Sequence, residues 1–88
     1  MTFTKQIKTR IVDKIYIEKR ACEYKWKFMH HTLVWMALDL GNVIENSNNE
    51  QVQNYLKVEL EIVLRAARKT KRLPTELKSI ASKHSIVI

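Results

Sequence analysis

The sequence contains one cysteine, one glycine and one proline, and each scarcity excludes a class of protein. Cys22 has no second cysteine to pair with, so no disulfide can form within the chain, and a reducing compartment, the cytoplasm, is expected. The single glycine, Gly41, excludes the glycine-rich loop that holds phosphates in nucleotide-binding proteins. So little glycine and proline also argues against a β fold rich in turns and against a disordered chain.

Long hydrophobic runs are scarce as well. The longest run, Leu33–Leu38, has six residues, whereas a membrane-spanning helix needs about 18. The N-terminal residues also lack the apolar core of a signal peptide. We therefore expect no association with a membrane.

Residues that could carry chemistry are few. His30 and His31 are adjacent, and adjacent side chains on a helix point about 100° apart, so both cannot ligate one metal from one face. No second cysteine joins Cys22, and no nucleophile stands in a pattern with a base and an orienting acid. The sequence predicts no metal, no cofactor, no small-molecule substrate and no catalytic centre.

Apolar residues recur at helical spacing through the first half of the chain. Their spacing averages about 3.7 residues, which is typical of a helix rather than of a strand. We predict one long helix over about residues 4–46, bent near Gly41. The apolar stripe consists of Ile7, Ile11, Ile15, Cys22, Trp26, Met29, Leu33, Met36, Leu40 and Ile44.

One alternative stays open over residues 15–28. In the segment YKWKF at residues 24–28, aromatic residues alternate with lysines, as they do on a strand. A β-hairpin here would turn near residues 19–22, where there is no Gly, Pro, Asn or Asp. A helix is therefore the preferred prediction.

A polar, asparagine-rich segment ends the first helix. Ser47 and Glu50 have the spacing of a capping box, which predicts a second helix over about residues 48–72. Pro74 then predicts a short third helix over about residues 75–84. The fold class is therefore all-α, in one domain: a long helical hairpin with a short third helix.

The four C-terminal residues, Ser85–Ile88, are mostly apolar. Three outcomes are open for this tail: docking in a groove, pairing with an edge in a partner, or fraying.

The segment from Phe28 to Leu40 is apolar on two sides of the predicted helix. One neighbouring helix covers one face only, so we expect the third helix or a second copy to cover the other. We predict a homodimer. The residues predicted to lie at a protein interface are Phe28, Trp35, Leu38 and Tyr55.

Charge is distributed in three blocks. Residues 1–28 have a net charge of +5, residues 29–64 of −4 and residues 65–88 of +6, which give the formal +7 of the chain. In an antiparallel hairpin the two basic blocks meet at one end, and such a surface attracts polyanions. The residues predicted to bind nucleic acid or another polyanion are Lys19, Arg20, Tyr24, Lys25, Lys27, Arg65, Arg68, Lys69, Lys71 and Arg72.

Three aromatic residues accompany the first basic block. Tyr24 is predicted to be exposed and able to stack on an unpaired base. Trp26 and Phe28 have the helical spacing of core residues, and we predict that both are buried.

The segment Leu77–Ile86 resembles the first helix and turn of helix-turn-helix DNA-binding proteins. The resemblance rests on Leu77, on the pair Ile80-Ala81 three residues further on, and on Ile86 after the turn. It implies a groove-reading second helix, but the sequence ends at Ile88, where that helix would begin. We therefore do not carry the function of these proteins over to this chain.

Two functional hypotheses result. The first is a non-enzymatic protein that binds nucleic acid mainly through electrostatic contacts to phosphates. The alternative is an inhibitor or adaptor, of a kind found in phages and mobile elements, that docks on an acidic protein surface of a larger assembly.

Overall fold

The computed structural model describes the backbone of residues 2–88 and the side chains of residues 14–88. Over this part of the chain there are four helices and no strand, so the all-α prediction is confirmed. Residues 15–27 are helical and do not form a β-hairpin. No helix among the described residues is both long enough and apolar enough to cross a membrane. The helices are α1 (Thr2–Lys27), α2 (His30–Asn46), α3 (Glu50–Thr70) and α4 (Thr75–Lys83).

The prediction of one helix over residues 4–46 is wrong, because the chain breaks at Phe28 and Met29. The Phe28 N–H still donates to the Tyr24 carbonyl at 2.9 Å, whereas Met29 is extended (φ −74°, ψ 158°) and precedes α2 as its N-cap residue. Phe28 packs against the same core that buries Leu33. On one unbroken helix these two side chains would point about 140° apart, so the break lets both face that core.

Asn49, not Ser47, caps α3. The Asn49 side-chain oxygen accepts a hydrogen bond of 2.9 Å from the Gln51 N–H, and α3 begins at Glu50. The predicted capping box is therefore wrong, and Ser47 instead ends α2 as its C-cap residue. Asparagine is among the best N-cap residues because its short side chain reaches the free N–H groups of the first turn. The bounds of α3 and α4 lie within two residues of those predicted.

α2 and α3 form an antiparallel hairpin, and α1 packs across α3. Arg20 reaches Glu59 at 3.4 Å, whereas Glu18, two residues earlier, reaches Arg65 at 2.8 Å and Lys69 at 3.0 Å. Glu59 and Arg65 lie about 9 Å apart along α3, against about 3 Å between Glu18 and Arg20 along α1. These ion pairs therefore join one turn of α1 to nearly three turns of α3, from Glu59 to Lys69.

α4 closes the core against α2 and α3. Ile80 packs over Gly41, which lies inside α2, and Lys83 forms an ion pair with Glu45. Among the described residues, no polar or charged residue is buried. The largest fully buried side chains are Leu33, Ile44, Leu60, Ile62, Val63, Leu64 and Leu77.

The C-terminal tail docks on its own fold. The Ile86 N–H donates to the Ala81 carbonyl at 2.8 Å and the Ser85 N–H to the Ser82 carbonyl at 3.1 Å. Ser85 adopts the left-handed conformation (φ 58°), so α4 ends in a Schellman motif. This motif reverses the chain, and Ile86 and Ile88 pack against the core. Of the outcomes open from the sequence, the structure shows docking, through Ile86 and Ile88 against the core of the same chain.

Candidate polyanion-binding groove

Arg20, one of the predicted polyanion contacts, is held between α1 and α3. Its Nη1 and Nη2 atoms each donate a 2.7 Å hydrogen bond, to the hydroxyls of Tyr16 and Tyr24, and Nη1 lies 3.4 Å from a Glu59 oxygen. The hydrogen bond to Tyr16 is the main cause that raises the pKa of Arg20. With these donors occupied, Arg20 stabilises the helix packing and is a poor candidate for a phosphate contact.

Arg65 and Lys69 share the carboxylate of Glu18. Arg65 donates to Glu18 at 2.8 Å and to Glu61 at 3.0 Å, and Lys69 reaches the second oxygen of Glu18 at 3.0 Å. The hydrogen bond from Lys69, and then the one from Arg65, lowers the pKa of Glu18. Burial lowers the pKa of Arg65, but the hydrogen bonds to Glu61 and Glu18 outweigh this effect and the pKa is raised. Both cations are thus neutralised within the fold.

Three other cations near the C-terminal end of α3 line an open groove of about 800 Å³. Arg68 lies in the last turn of α3, Arg72 in the link to α4, and Lys78 on α4. The hydroxyls of Ser82 and Ser85 also line the groove, which we call the basic groove. Its apolar lining consists of Leu73, Ala81, Ile86, Val87 and Ile88.

The basic groove has three cationic side chains and no acidic one. Its lining contains no Asp or Glu side chain, and Arg68, Arg72 and Lys78 form no ion pair with any side chain that the structure describes. The negative end of the α3 dipole offsets part of the charge of Arg68. A concave surface lined by one sign of charge concentrates counter-ions, and serine hydroxyls can donate to anion oxygens. The groove can therefore bind an anionic group.

The predicted contacts of α1 do not line the basic groove. Lys19, Lys25 and Lys27 are exposed, and no described carboxylate pairs with them. The Nζ atoms of Lys25 and Lys27 lie 5.4 Å and 5.6 Å from the ring centres of Trp26 and Phe28. Of the predicted set, the structure brings Arg68 and Arg72 together in the groove. Lys71, which lies between them in sequence, is exposed but does not line the groove.

Trp26 and Tyr24 have the opposite of the environments predicted for them. Trp26 is 84% exposed, so its predicted burial is wrong. Tyr24 is half-buried, with its ring edge-on to Phe28 at 5.3 Å and its hydroxyl bonded to Arg20, so its predicted exposure is wrong as well. The two residues are two positions apart on α1, so their side chains point to nearly opposite sides of the helix, and α3 covers the side of Tyr24.

The residues predicted to lie at a protein interface have two kinds of environment. Trp35 and Tyr55 are each 65% exposed, whereas Phe28 and Leu38 are half-buried and pack against the core. The fold itself thus covers part of the second apolar stripe of the sequence and leaves Trp35 open.

Lys78, Ser82 and the tail are the groove residues that the sequence analysis missed. Lys78 and Ser82 lie one turn apart on α4, so helical spacing could have placed them on one face. Their position opposite Arg68 depends on the direction in which α4 folds back, which residue spacing does not specify.

The histidines lie apart from the groove. The Nδ1 atom of His30 lies 2.8 Å from the Thr70 hydroxyl. The Nε2 atom of His84 is buried and has no hydrogen-bond partner among the described atoms, and burial, followed by the charge of Lys57, lowers the pKa of His84. No group of three or more His, Cys, Asp or Glu side chains in the described part of the chain is placed to hold a metal ion.

Comparison with the models of known families, with curated proteins and with solved structures finds no match to this chain. The features on which a functional proposal can be based are those of the chain itself. They are a small all-α fold and an open groove lined by three cations and no acidic side chain.

Proposed function

We propose that the protein binds nucleic acid, with the sugar–phosphate backbone lying in the basic groove. The observation that carries the proposal is the set of Arg68, Arg72 and Lys78 around one open groove that has no Asp or Glu side chain in its lining. Guanidinium groups bind phosphate oxygens through two parallel hydrogen bonds, and lysine adds a mobile point charge.

The other lining residues suit the same ligand. Ser82 and Ser85 offer hydroxyl donors for phosphate oxygens, and Ile86 and Val87 offer apolar surface for sugar and base faces. Contacts of this kind position a nucleic acid without reading its sequence. The expected binding is therefore mainly electrostatic.

A salt titration tests the proposal. Labelled mixed-sequence single-stranded and duplex DNA and RNA are titrated with the protein, and fluorescence anisotropy gives the affinity at each salt concentration. Three neutralised phosphates predict that the logarithm of the binding constant falls with the logarithm of the salt concentration with a slope of about −2 to −3. Undetectable binding to all four probes at about 50 mM salt would show that the proposal is wrong.

Matched charge variants locate the site. Arg72→Gln and Lys78→Gln each remove one groove cation and are expected to make the slope less steep by about 0.7 to 0.9. Lys14→Gln removes the same charge from an exposed position on α1, outside the groove lining, and is expected to leave the slope unchanged. Equal effects of all three variants would show that net charge, not the groove, determines binding.

The exposure of Trp35 and Tyr55 favours a second candidate, an inhibitor or adaptor that docks on an acidic protein. Exposed aromatic side chains are the usual anchors of protein interfaces. After nuclease treatment, such a protein would retain one stoichiometric protein partner. Trp35→Ala would release that partner, whereas Arg72→Gln would mainly slow its association.

A further inference from the structure

One face of α1 is apolar, exposed and not covered by any described part of the fold. Ile15, Trp26 and Met29, which lies just past the end of the helix, are 64%, 84% and 69% exposed, and Cys22 is exposed as well. Together with Lys19, these residues follow one another at intervals of four, three, four and three positions. We call the five residues the outer stripe of α1.

The opposite face of α1 has an apolar stripe of its own. Ile17 and Ala21 are buried there, and Tyr24 and Phe28 are half-buried. α3 packs against this side. A helix on the surface of a globular protein needs only one apolar face, whereas a helix with two such stripes packs on both sides.

The spacing of the outer stripe is that of paired helices. Intervals that alternate between four and three residues keep side chains on one line where two helices meet. Lys19 is the one charged member, and its long stem can lie along apolar surface while its ammonium group stays in water. A polar residue at such a position lowers the affinity of the pair but restricts its register.

Two copies of the outer stripe fit each other in antiparallel orientation. When Ile15 of one copy packs against Trp26 of the second, Glu18 comes opposite Lys25, and two-fold symmetry makes each contact twice. Lys25 forms no ion pair with a described side chain. The Glu18 side chain is 43% exposed, and its oxygens keep free lone pairs beside the bonds already made within the fold.

We propose that the outer stripe is a homodimer interface, on which α1 of a second copy packs antiparallel. The proposal moves the self-association expected from the sequence away from Trp35 and Leu38, and it does not depend on nucleic-acid binding. The formal charge of +7 on each copy opposes association. Because salt screens this repulsion, the dimer is expected to become stronger at higher salt, whereas nucleic-acid binding becomes weaker.

Sedimentation equilibrium over a series of protein and salt concentrations, in reducing buffer, tests the proposal. We expect a monomer–dimer equilibrium of low affinity, since the interface is small. Trp26→Ser is expected to weaken the dimer at least about tenfold. Trp35→Ser removes a tryptophan that is also well exposed, but from α2, and is expected to leave the equilibrium unchanged. Lys25→Glu is expected to weaken the dimer because two carboxylates would then face each other.

Crosslinking tests the register. With Cys22 opposite Lys19 of the second copy, the two Cys22 Cα atoms lie about 10 Å apart, given the usual rise per residue and distance between packed helices. A short bismaleimide is therefore expected to join the two copies through Cys22, and Trp26→Ser to prevent this.

Three results would overturn the proposal. The first is a monomer at every protein and salt concentration, and the second is an equal loss of association in Trp26→Ser and Trp35→Ser. The third comes from a Trp35→Phe variant, in which Trp26 is the only tryptophan. If the fluorescence of Trp26 responds to an oligonucleotide but not to protein concentration, the outer stripe is assigned to nucleic acid instead.

Discussion

Arg20 donates a hydrogen bond of 2.7 Å from Nη2 to the hydroxyl of Tyr24, and its guanidinium carbon lies 5.1 Å from the centre of the same ring. Its Nη1 atom donates a second hydrogen bond of 2.7 Å to the hydroxyl of Tyr16, one turn earlier on α1. The guanidinium carbon lies 5.5 Å from the centre of that ring. Arg20 thus joins one tyrosine a turn before it and one a turn after it on α1, and it reaches Glu59 on α3. Arg20 therefore stabilises the packing of α1 on α3.

Arg20→Ala is accordingly expected to lower the free energy of unfolding by about 1–2 kcal/mol, since it removes two charge-assisted hydrogen bonds and two cation–π contacts. Urea unfolding followed by circular dichroism measures the change. Lys14→Ala removes the same charge from an exposed position on α1 outside the outer stripe and is expected to be neutral. A loss of nucleic-acid affinity in Arg20→Ala alone, with unchanged stability, would contradict this assignment.

The helices could be predicted from the sequence where the signal is local. Apolar spacing indicates a helix on both sides of the break at Met29, and Pro74 marks the start of α4. The break itself has no local signal, because its cause is the sharing of one core by Phe28 and Leu33. That contact exists only in the folded chain.

The exposure of residues on α1 could not be predicted, for the same reason. Spacing alone defines two apolar stripes on α1 but does not say which of them faces α3. α3 packs against the stripe that contains Ile17 and Ala21, and Trp26 is therefore exposed whereas Tyr24 is half-buried. In the groove, the charge pattern indicated Arg68 and Arg72, whereas Lys78 joins them only because α4 folds back beside them.

Gly41 permits a test of packing between α2 and α4. A Cβ atom at Gly41 would lie 3.4 Å from Cγ2 and 3.5 Å from Cδ1 of Ile80, which is ordinary van der Waals contact. Gly41→Ala is therefore expected to raise the free energy of unfolding by about 0.5–1 kcal/mol, because alanine favours the helix. Gly41→Leu is expected to lower it by about 1–3 kcal/mol through overpacking. Urea unfolding of both variants checks the prediction, and a destabilised Gly41→Ala would show that Ile80 cannot accommodate a methyl group.

Ser85 is a non-glycine residue in the left-handed conformation at the end of α4. Glycine adopts this conformation without strain, so Ser85→Gly is expected to raise the free energy of unfolding by about 0.5–1 kcal/mol. Ser82→Gly, inside α4, is expected to lower it by a similar amount because glycine disfavours a helix interior. Thermal unfolding of the two variants should shift in opposite directions, and a parallel shift would contradict the role of Ser85.

His84 makes stability depend on pH below the ordinary pKa of a histidine, 6.5. Burial, and then the charge of Lys57, lowers its pKa from 6.5 in the folded protein, so the unfolded chain takes up a proton first as the pH falls. The free energy of unfolding is therefore expected to decrease below about pH 6.5 and to level off once the folded protein is protonated too. Glu18 and Glu45, whose pKa values are also lowered, add a loss of stability only below about pH 4.5.

Urea unfolding at a series of pH values should show that His84→Gln removes the pH dependence of stability between pH 5 and 7, whereas the same substitution at the exposed His31 retains it. An unchanged dependence in His84→Gln would assign it to another group.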